Sequence, residues 1–356
     1  MGATRRILIL GASYGSLLGA KLALAGHDVD LVCRSEEAEL INRAGAVVRL
    51  PVRGREGRVE INSKKLPGRV YAGGPGAFQP AGYDLIVLAM QEPQYRAPGV
   101  RELMEAIARS RVPCLSLMNM PPLPYLARLP GIDVNACRSC YTDATVWDGF
   151  DPPLMTLCSP DPQAFRPPGE PVNVLQVTLP TNFKAARFES GAHTALLRGL
   201  EADVEAARFD GDGESIELPV KLRVHDSLFV PLAKWAMLIA GNYRCVTEEG
   251  VRSIRDAVHG DPAASRTVYE WVVELCLSLG ADEKDLVPFE KYASAALSLE
   301  SPSAAARAVA AGATDIERVD RLVQAIARQK GMRWEALDRL VALIDERLEA
   351  NRRKAA

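Results

Sequence analysis

Short apolar runs alternate with stretches of helical spacing through the first half of the chain, the pattern of a parallel sheet with helices on its faces. Ile7-Leu8-Ile9-Leu10 is the first run. Gly11-Ala12-Ser13-Tyr14-Gly15-Ser16 follows, then Leu17 to Gly26 with helical spacing, then Val29-Asp30-Leu31-Val32-Cys33 ending at Arg34. These stretches read as strand, glycine turn, helix and strand, one βαβ unit of about 30 residues.

The alternation continues. Glu36 to Ala44 reads as a helix, Ala46 to Leu50 and Gly57 to Ile61 as strands, and the glycine- and proline-rich Pro67 to Gly82 as a loop. Asp84 to Met90 and Val112 to Met118 are continuous apolar runs expected as buried strands, with a helix from Val100 to Arg109 between them. Gln91 and Asn119 follow these runs, at the carboxyl edge where ligands bind in open α/β sheets. From Val134 to Leu179 the chain reads as mostly extended, with strands at Leu154–Cys158 and Val172–Leu179. A helix is expected over His193–Arg208 and a last strand over Glu217–Val224. Beyond Asp226 the spacing is helical, including Pro231–Tyr243, Ala263–Leu279 and Thr314–Gln329. The expected fold class is therefore α/β, with a Rossmann-type dinucleotide-binding domain over residues 1–225 followed by an all-α domain over residues 226–356. No repeat of fixed period is evident.

The glycine turn carries the first chemistry. Backbone amides at a helix start lack partners inside the helix and carry the positive end of its dipole, which suits a pyrophosphate. The usual fingerprint is G-x-G-x-x-G, whereas this chain has Gly11-Ala12-Ser13-Tyr14-Gly15. Either Ser13 replaces the middle glycine or the loop is one residue shorter. An acidic residue closing the second strand would take the ribose hydroxyl of NAD; the cation Arg34 suits the 2′-phosphate of NADP. A solvated arginine is the plainer alternative. The same turn matches G-x-S-x-G, the nucleophile elbow of α/β-hydrolases, with His193, His225 and His259 downstream. Position argues against it, because that fold places strands and an oxyanion loop before the nucleophile.

Composition narrows the classes. The chain has 356 residues, 48% hydrophobic and 25% charged, as ordinary globular proteins have. A net charge of -2 argues against binding nucleic acid by phosphate neutralisation. No apolar stretch reaches the roughly 20 residues of a membrane span. Arg5-Arg6 and the run after them mimic a signal peptide, but cleavage near Ala25 would remove the first strand and the glycine turn together, so the segment is read as structural. Seven scattered cysteines point to reduced thiols and a cytoplasmic setting. Cys137-Arg138-Ser139-Cys140 is a lone C-x-x-C in a strand-like context, read as structural, and no metal site is expected.

In the second half, Lys234, Leu238 and Asn242 recur at i, i+4 and i+8 of one helix, near a common stripe. An exposed lysine that lays its stem along the helix would give the same spacing. The order of features resembles the ketopantoate reductase family (2-dehydropantoate 2-reductase). At the front, Gly15-Ser16-Leu17-Leu18-Gly19-Ala20-Lys21-Leu22-Ala23-Leu24-Ala25-Gly26-His27-Asp28-Val29 and Arg34 are similar to its first βαβ unit. Leu117-Met118-Asn119 resembles its strand ending in asparagine, and Lys234 with Asn242 its helix bearing a lysine and an asparagine. Ser301-Pro302-Ser303 followed by Thr314-Asp315-Ile316-Glu317 resembles its serine pair and T-E-I-D.

The resemblance implies a Rossmann domain packed on a helical domain, with NADPH and a 2-oxo acid meeting in the cleft. Family members reduce ketopantoate to pantoate, on the path to coenzyme A. Carried over by residue, Gly11, Ala12, Ser13, Tyr14, Gly15, Arg34, Gln91 and Asn119 would bind the cofactor. Lys234 would be the general acid, with Asp315 standing for the family's glutamate; Asn119, Lys234, Asn242 and Ser303 would hold substrate. A ketone taking hydride builds negative charge on oxygen, which a lysine ammonium can stabilise and protonate. A nearby Asp315 could keep Lys234 charged. Departures are Leu238 for the first helix asparagine, Gln91 for a lysine, Met120 for a glycine, Asp315 for glutamate, and the abbreviated loop. Losing a polar substrate contact points to a less polar or bulkier oxo substrate. The competing classes are a non-catalytic NADP-binding protein and a serine hydrolase at Ser13. The alanine- and leucine-rich helical domain leaves a homodimer open, although apolar helix faces are more often internal core.

Overall fold

β1 (Arg6–Leu10), β2 (Asp28–Val32), β6 (Leu85–Leu88) and β7 (Cys114–Leu117) are almost entirely buried, as unbroken apolar runs require when both faces of a parallel sheet are covered. The computed structural model describes residues 3–211 and 213–355. They fall into two units. The first comprises the described residues up to Met90, Gln94–Met118 and Val146–Asp226; the second comprises Gln91–Pro93, Asn119–Thr145 and the described residues from Ser227 onward. The segments after β6 and β7 therefore group with the helical unit, which a single linear boundary near residue 225 does not anticipate.

The first unit holds an eight-stranded sheet in the order β14-β11-β8-β7-β6-β1-β2-β5, where β5 is Val70–Gly73, β8 Met155–Ser159, β11 Phe183–Ala186 and β14 Leu222–His225. Its pairs are parallel except β11 with β8. β1 lies between β2 and β6, with Ile7 opposite Val29 on one side and Leu85 on the other. The order runs outward both ways from β1 and β6, so their carboxyl ends form the topological switch point of the sheet. A second sheet pairs β4 (Val59–Asn62), β3 (Val47–Leu50), β10 (Val174–Leu179) and β9 (Gln163–Phe165). β12 (Phe209–Gly211) and β13 (Glu214–Ile216) make a separate ribbon.

α1 (Tyr14–Leu24) is buried at every residue from Gly15 onward, because β2, β3 and the helix Gly191–Ala206 all pack on it. Its enclosure takes in Lys21, whose Nζ donates to the carbonyls of Leu218 at 3.2 Å and Pro219 at 3.1 Å. Burial, then the neighbouring Lys221, lowers this ammonium from 10.5 to about 7.

Several sequence expectations change. Pro67–Gly82 contains strand β5, a short edge strand on β2 whose Ala72 is bonded at both N–H and carbonyl by the Asn42 amide. Residues 134–154 are not extended: Val134–Cys137 is a helical turn capped by the Asp133 side chain, and single 3-10 turns follow. Cys137 and Cys140 therefore lie on helical turns, as free buried thiols, and burial pushes Cys140 up to about 12. The strand expected from Glu217 begins only at Leu222, because Pro219 has no N–H and Val220 adopts φ 64°.

The second unit is helical. Its longer members are Pro262–Ser278, Val319–Gln329 and Glu335–Ala355. The helix expected from Thr314 begins at Val319, since the chain before it is held out of helical geometry by side chains described below. Arg318 and Asp320 form a buried ion pair at 2.7 Å, extended to Asp345 on the last helix.

Candidate functional site

In the first unit, three residues, Gly11 to Ser13, join β1 to α1. Gly11 has φ 103°, and a Cβ there would stand 2.6 Å from the Ala89 carbonyl oxygen and 2.7 Å from Met90 Cγ, at the end of β6. Only glycine fits this turn at the switch point. Gly15 meets β1 so closely that a Cβ would lie 2.7 Å from Ile9 Cγ2. The two glycines that make the turn and the helix–strand contact are thus four positions apart instead of five, and Ser13 stands at the helix N-cap without a side-chain cap bond. Ser16 Oγ closes the turn onto the Ala12 carbonyl at 2.6 Å. The first turn of α1 carries no acidic side chain, so nothing there opposes an anion. Arg34 is exposed at the start of α2 (Ser35–Ala44), while the nearby buried Glu37 is ion-paired with Arg166. Turn, open helix start and exposed cation fit a dinucleotide phosphate. Tyr14 directs its hydroxyl to the Pro162 carbonyl at 2.9 Å. Gln91 is exposed.

In the second unit the segment bearing Lys234 is not one regular helix. Residues Val230–Ala233 form a 3-10 turn, Lys234–Met237 an α turn and Leu238–Asn242 a π turn, in which Tyr243 N–H reaches back five residues to the Leu238 carbonyl. The cause is a wedge. Tyr292 donates its hydroxyl to the Met237 carbonyl at 3.1 Å, the acceptor that Gly241 N–H would take in an α ladder. Gly241 makes room, since a Cβ there would stand 1.9 Å from Tyr292 Oη. Arg244 covers the Ala240 carbonyl at 3.1 Å.

This turn changes the geometry read from spacing. Eight residues of α-helix rotate through about 800°, leaving Asn242 about 80° round from Lys234. A turn closed over five residues winds less per residue, so Asn242 swings back toward the face of Lys234. Both side chains are half-buried, and Leu238 between them is 4% exposed. Ser303 is enclosed. Its hydroxyl accepts from Ala306 N–H at 3.1 Å, capping the helix Ala304–Ala310, and donates to the Asn242 carbonyl at 2.7 Å. Ser303 thus fixes the Asn242 backbone. Asp315 receives Thr314 Oγ1–H at 3.0 Å and pairs with Arg352 at 3.1 Å.

A buried polar network surrounds Asn119. Its Nδ2 donates to Glu317 Oε2 at 3.3 Å, and Glu317 Oε1 accepts Glu92 N–H at 3.3 Å. Glu92, also buried, accepts Thr142 N–H at 3.0 Å and Thr142 Oγ1–H at 2.8 Å. The Tyr243 hydroxyl donates to the Glu317 carbonyl at 2.5 Å and accepts Val319 N–H at 2.9 Å, which holds residues 317–319 out of the helix. Burial raises Glu317 to about 7; the Asn119 hydrogen bond works against that rise and the charge of Glu92 adds to it. Asn119 Oδ1 is buried without a partner. Residue spacing did not single out Glu317, Glu92 or Tyr292; the one available signal was that Glu317 closes the Thr314-Asp315-Ile316-Glu317 stretch. Met120 is fully enclosed, so its departure from glycine places no apolar surface at a ligand.

Among the described residues no group of three or more His, Cys, Asp or Glu could hold a metal, and no helix is long and apolar enough to cross a membrane. Ser13 makes no side-chain hydrogen bond to any histidine among them.

Comparison with known proteins bears on both units. Residues 7–116 match the family described as ketopantoate reductase PanE/ApbA. Solved structures share the fold over nearly the whole chain. A 2-dehydropantoate 2-reductase from Methylococcus capsulatus has a TM-score of 0.67 at 14% identity, covering 97% of each chain. A PanE/ApbA family ketopantoate reductase from Ralstonia eutropha JMP134 has 0.62 at 16% identity, covering 98% of this chain and 99% of its own. D-mandelate dehydrogenase, solved with NADH and anilino(oxo)acetate, has 0.63 at 14% identity, with the same coverage. No curated protein sequence matches significantly.

Proposed function

Because residues 7–116 match the family described as ketopantoate reductase PanE/ApbA, we propose that this chain is an NADPH-dependent reductase converting a 2-oxo acid to the 2-hydroxy acid. The observation that supports the reading best is the π turn over Leu238–Asn242, whose smaller winding per residue would bring Asn242 toward the face of Lys234. A regular helix would separate an ammonium and an amide that the reaction needs together.

The Gly11–Gly15 turn would hold NADPH, which would supply the hydride. Arg34 would meet its 2′-phosphate by charge-assisted hydrogen bonds. Lys234 stabilises the negative charge that builds on the carbonyl oxygen and gives that oxygen a proton. The carbonyl carbon gains hydride, its oxygen gains the lysine proton, and solvent reprotonates the amine. Asn242 offers an amide to the substrate, with its backbone held by Ser303. Asp315, held by Thr314 and Arg352, is the carboxylate that accompanies Lys234 in the reaction.

A second reading of the substrate has support of its own. Leu238, enclosed at 4% exposure, brings no polar group to the stripe between Lys234 and Asn242, and a structural neighbour, D-mandelate dehydrogenase, was solved with anilino(oxo)acetate, an oxo acid bearing an aromatic ring. Both favour an oxo acid with an apolar side chain over ketopantoate.

The test follows NADPH absorbance on adding ketopantoate or phenylglyoxylate, beside NADH and beside Lys234→Ala. Oxidation that disappears in the variant supports the reductase. Faster turnover of phenylglyoxylate selects the apolar substrate, and faster turnover of ketopantoate removes it. NADPH bound by fluorescence with no turnover of either would leave a non-catalytic binding protein.

A further inference from the structure

Asn119 is the residue on which the proposed cofactor and substrate contacts converge, yet an asparagine amide is ambiguous: it can present either a donor or an acceptor. Its surroundings remove that ambiguity. Nδ2 is taken by Glu317 at 3.3 Å, which leaves the buried Oδ1 as the group without a partner. An ionised carboxylate only accepts, so it can face the Asn119 NH2 and never its carbonyl.

Glu317 is itself held on several sides. Glu92 N–H binds its other oxygen at 3.3 Å, Tyr243 Oη–H binds its carbonyl at 2.5 Å, and Glu92 is anchored by both Thr142 donors. One carboxylate thereby connects the segment that leaves β6 and carries Gln91 with the segment that leaves β7 and carries Asn119. Such a group costs stability to bury, and simple packing does not need it.

We propose that Glu317 is a positioning residue: its carboxylate locks the Asn119 amide so that Oδ1 is presented to the nicotinamide half of the cofactor, as the acceptor for an amide or hydroxyl donor. The proposal rests on the reductase reading above. It gives the reaction a proton-dependent gate. The groups facing the Glu317 carboxylate are the Glu92 carboxylate and three donors, namely Asn119 and the backbone N–H groups of Glu92 and Met120. Once protonated, Glu317 can donate, the Asn119 amide is free to reverse, and the presented group becomes a donor. Because burial lifts this carboxyl to about 7, the acceptor geometry is gained as pH rises through neutrality.

The experiment compares wild type, Glu317→Gln, and the double variant Asn119→Asp/Glu317→Gln. Measured quantities are NADPH dissociation by fluorescence, kcat and KM against pH, and thermal melting. The expected result for Glu317→Gln is about tenfold weaker NADPH binding, the worth of one hydrogen bond, and loss of the acid limb of kcat/KM near neutral pH. The double variant restores the pair with roles exchanged: the introduced glutamine amide donates, the introduced aspartate accepts, one negative charge is kept, and the second aspartate oxygen remains an acceptor. Binding should return to within about threefold of wild type. Unaltered NADPH binding and an unaltered acid limb in Glu317→Gln, with its melting temperature kept, would overturn the proposal. A double variant no better than the single would overturn it equally. If wild type binds NADPH but reduces no oxo acid, the reductase reading fails while the three dissociation constants still decide the role of Glu317.

Discussion

Gly241→Ala tests the account of the π turn most directly. The new Cβ would lie 1.9 Å from Tyr292 Oη and 3.2 Å from Cζ, so the ring must leave. Losing the Tyr292 bond to the Met237 carbonyl costs about 1 kcal/mol, and the forced repacking of Tyr292, stacked on Tyr269 at 5.4 Å, costs about 1–3 kcal/mol. Replacing glycine inside a helix returns up to about 1 kcal/mol. The net loss expected is therefore about 1–3 kcal/mol. Tyr292→Phe alone should cost about 1 kcal/mol, through the hydroxyl. In the Phe background the clashing oxygen is gone, Gly241→Ala becomes nearly neutral, and the two changes should couple favourably by about 1–3 kcal/mol. Urea unfolding of the four members of the cycle measures this. The same cycle has a functional arm: without the wedge the turn can close over four residues, Asn242 rotates away from Lys234, and substrate KM rises while NADPH binding holds. Additivity within about 0.5 kcal/mol would refute the wedge. A Tyr292→Phe variant with unchanged KM would refute its link to Asn242.

Lys21 and Arg34 give further expectations. The folded state holds Lys21 near 7 against 10.5, so between those values the unfolded chain binds more protons and stability rises with pH, by up to about 1.4 kcal/mol per pH unit. Lys21→Met should flatten the rise of urea midpoints between pH 7 and 9.5; an unchanged slope would show that the lysine is not the cause. Arg34→Glu should weaken NADPH at least about tenfold while leaving NADH within about threefold, read from fluorescence titrations. Equal losses for both nucleotides would remove Arg34 from the 2′-phosphate.

Much of the first unit was legible because its strands are buried on both faces, so periodicity and composition agree. β5 was hidden for the opposite reason. Val70-Tyr71-Ala72-Gly73 is an edge strand among glycines and prolines, and its support comes from the Asn42 side chain, which no local window includes. Thr314 to Arg318 looked helical because Ile316 and Val319 keep a helical interval, but the Tyr243 hydroxyl takes the backbone groups that would begin the helix. The spacing of Lys234 and Asn242 was visible; what brings them into line was not. A tyrosine some fifty residues later sets the pitch of that helix, and the sequence before it carries only a glycine as a sign.

Glu317 offers a final check on whether the buried network serves the reaction or the fold. Two enclosed carboxylates, Glu92 and Glu317, face one another through a backbone amide, and burial with mutual repulsion raises Glu317 from 4.5 to about 7. By linkage, the folded state keeps a proton that the unfolded state has released, so the favourable term is complete below about 4.5 and is lost as pH climbs to about 7. Near and above neutrality the ionised Glu317 is therefore a burden on stability, opposite in direction to a carboxylate that gains a cation. Glu317→Gln keeps the shape and an acceptor while removing the charge. It should raise the urea midpoint at pH 8 relative to wild type and shrink the advantage at pH 5. A group retained for folding would show the reverse, a variant less stable at pH 8. A variant more stable yet slower is the pattern of a site that gives up stability to hold a reacting geometry, and it would identify the carboxylate as kept for Asn119.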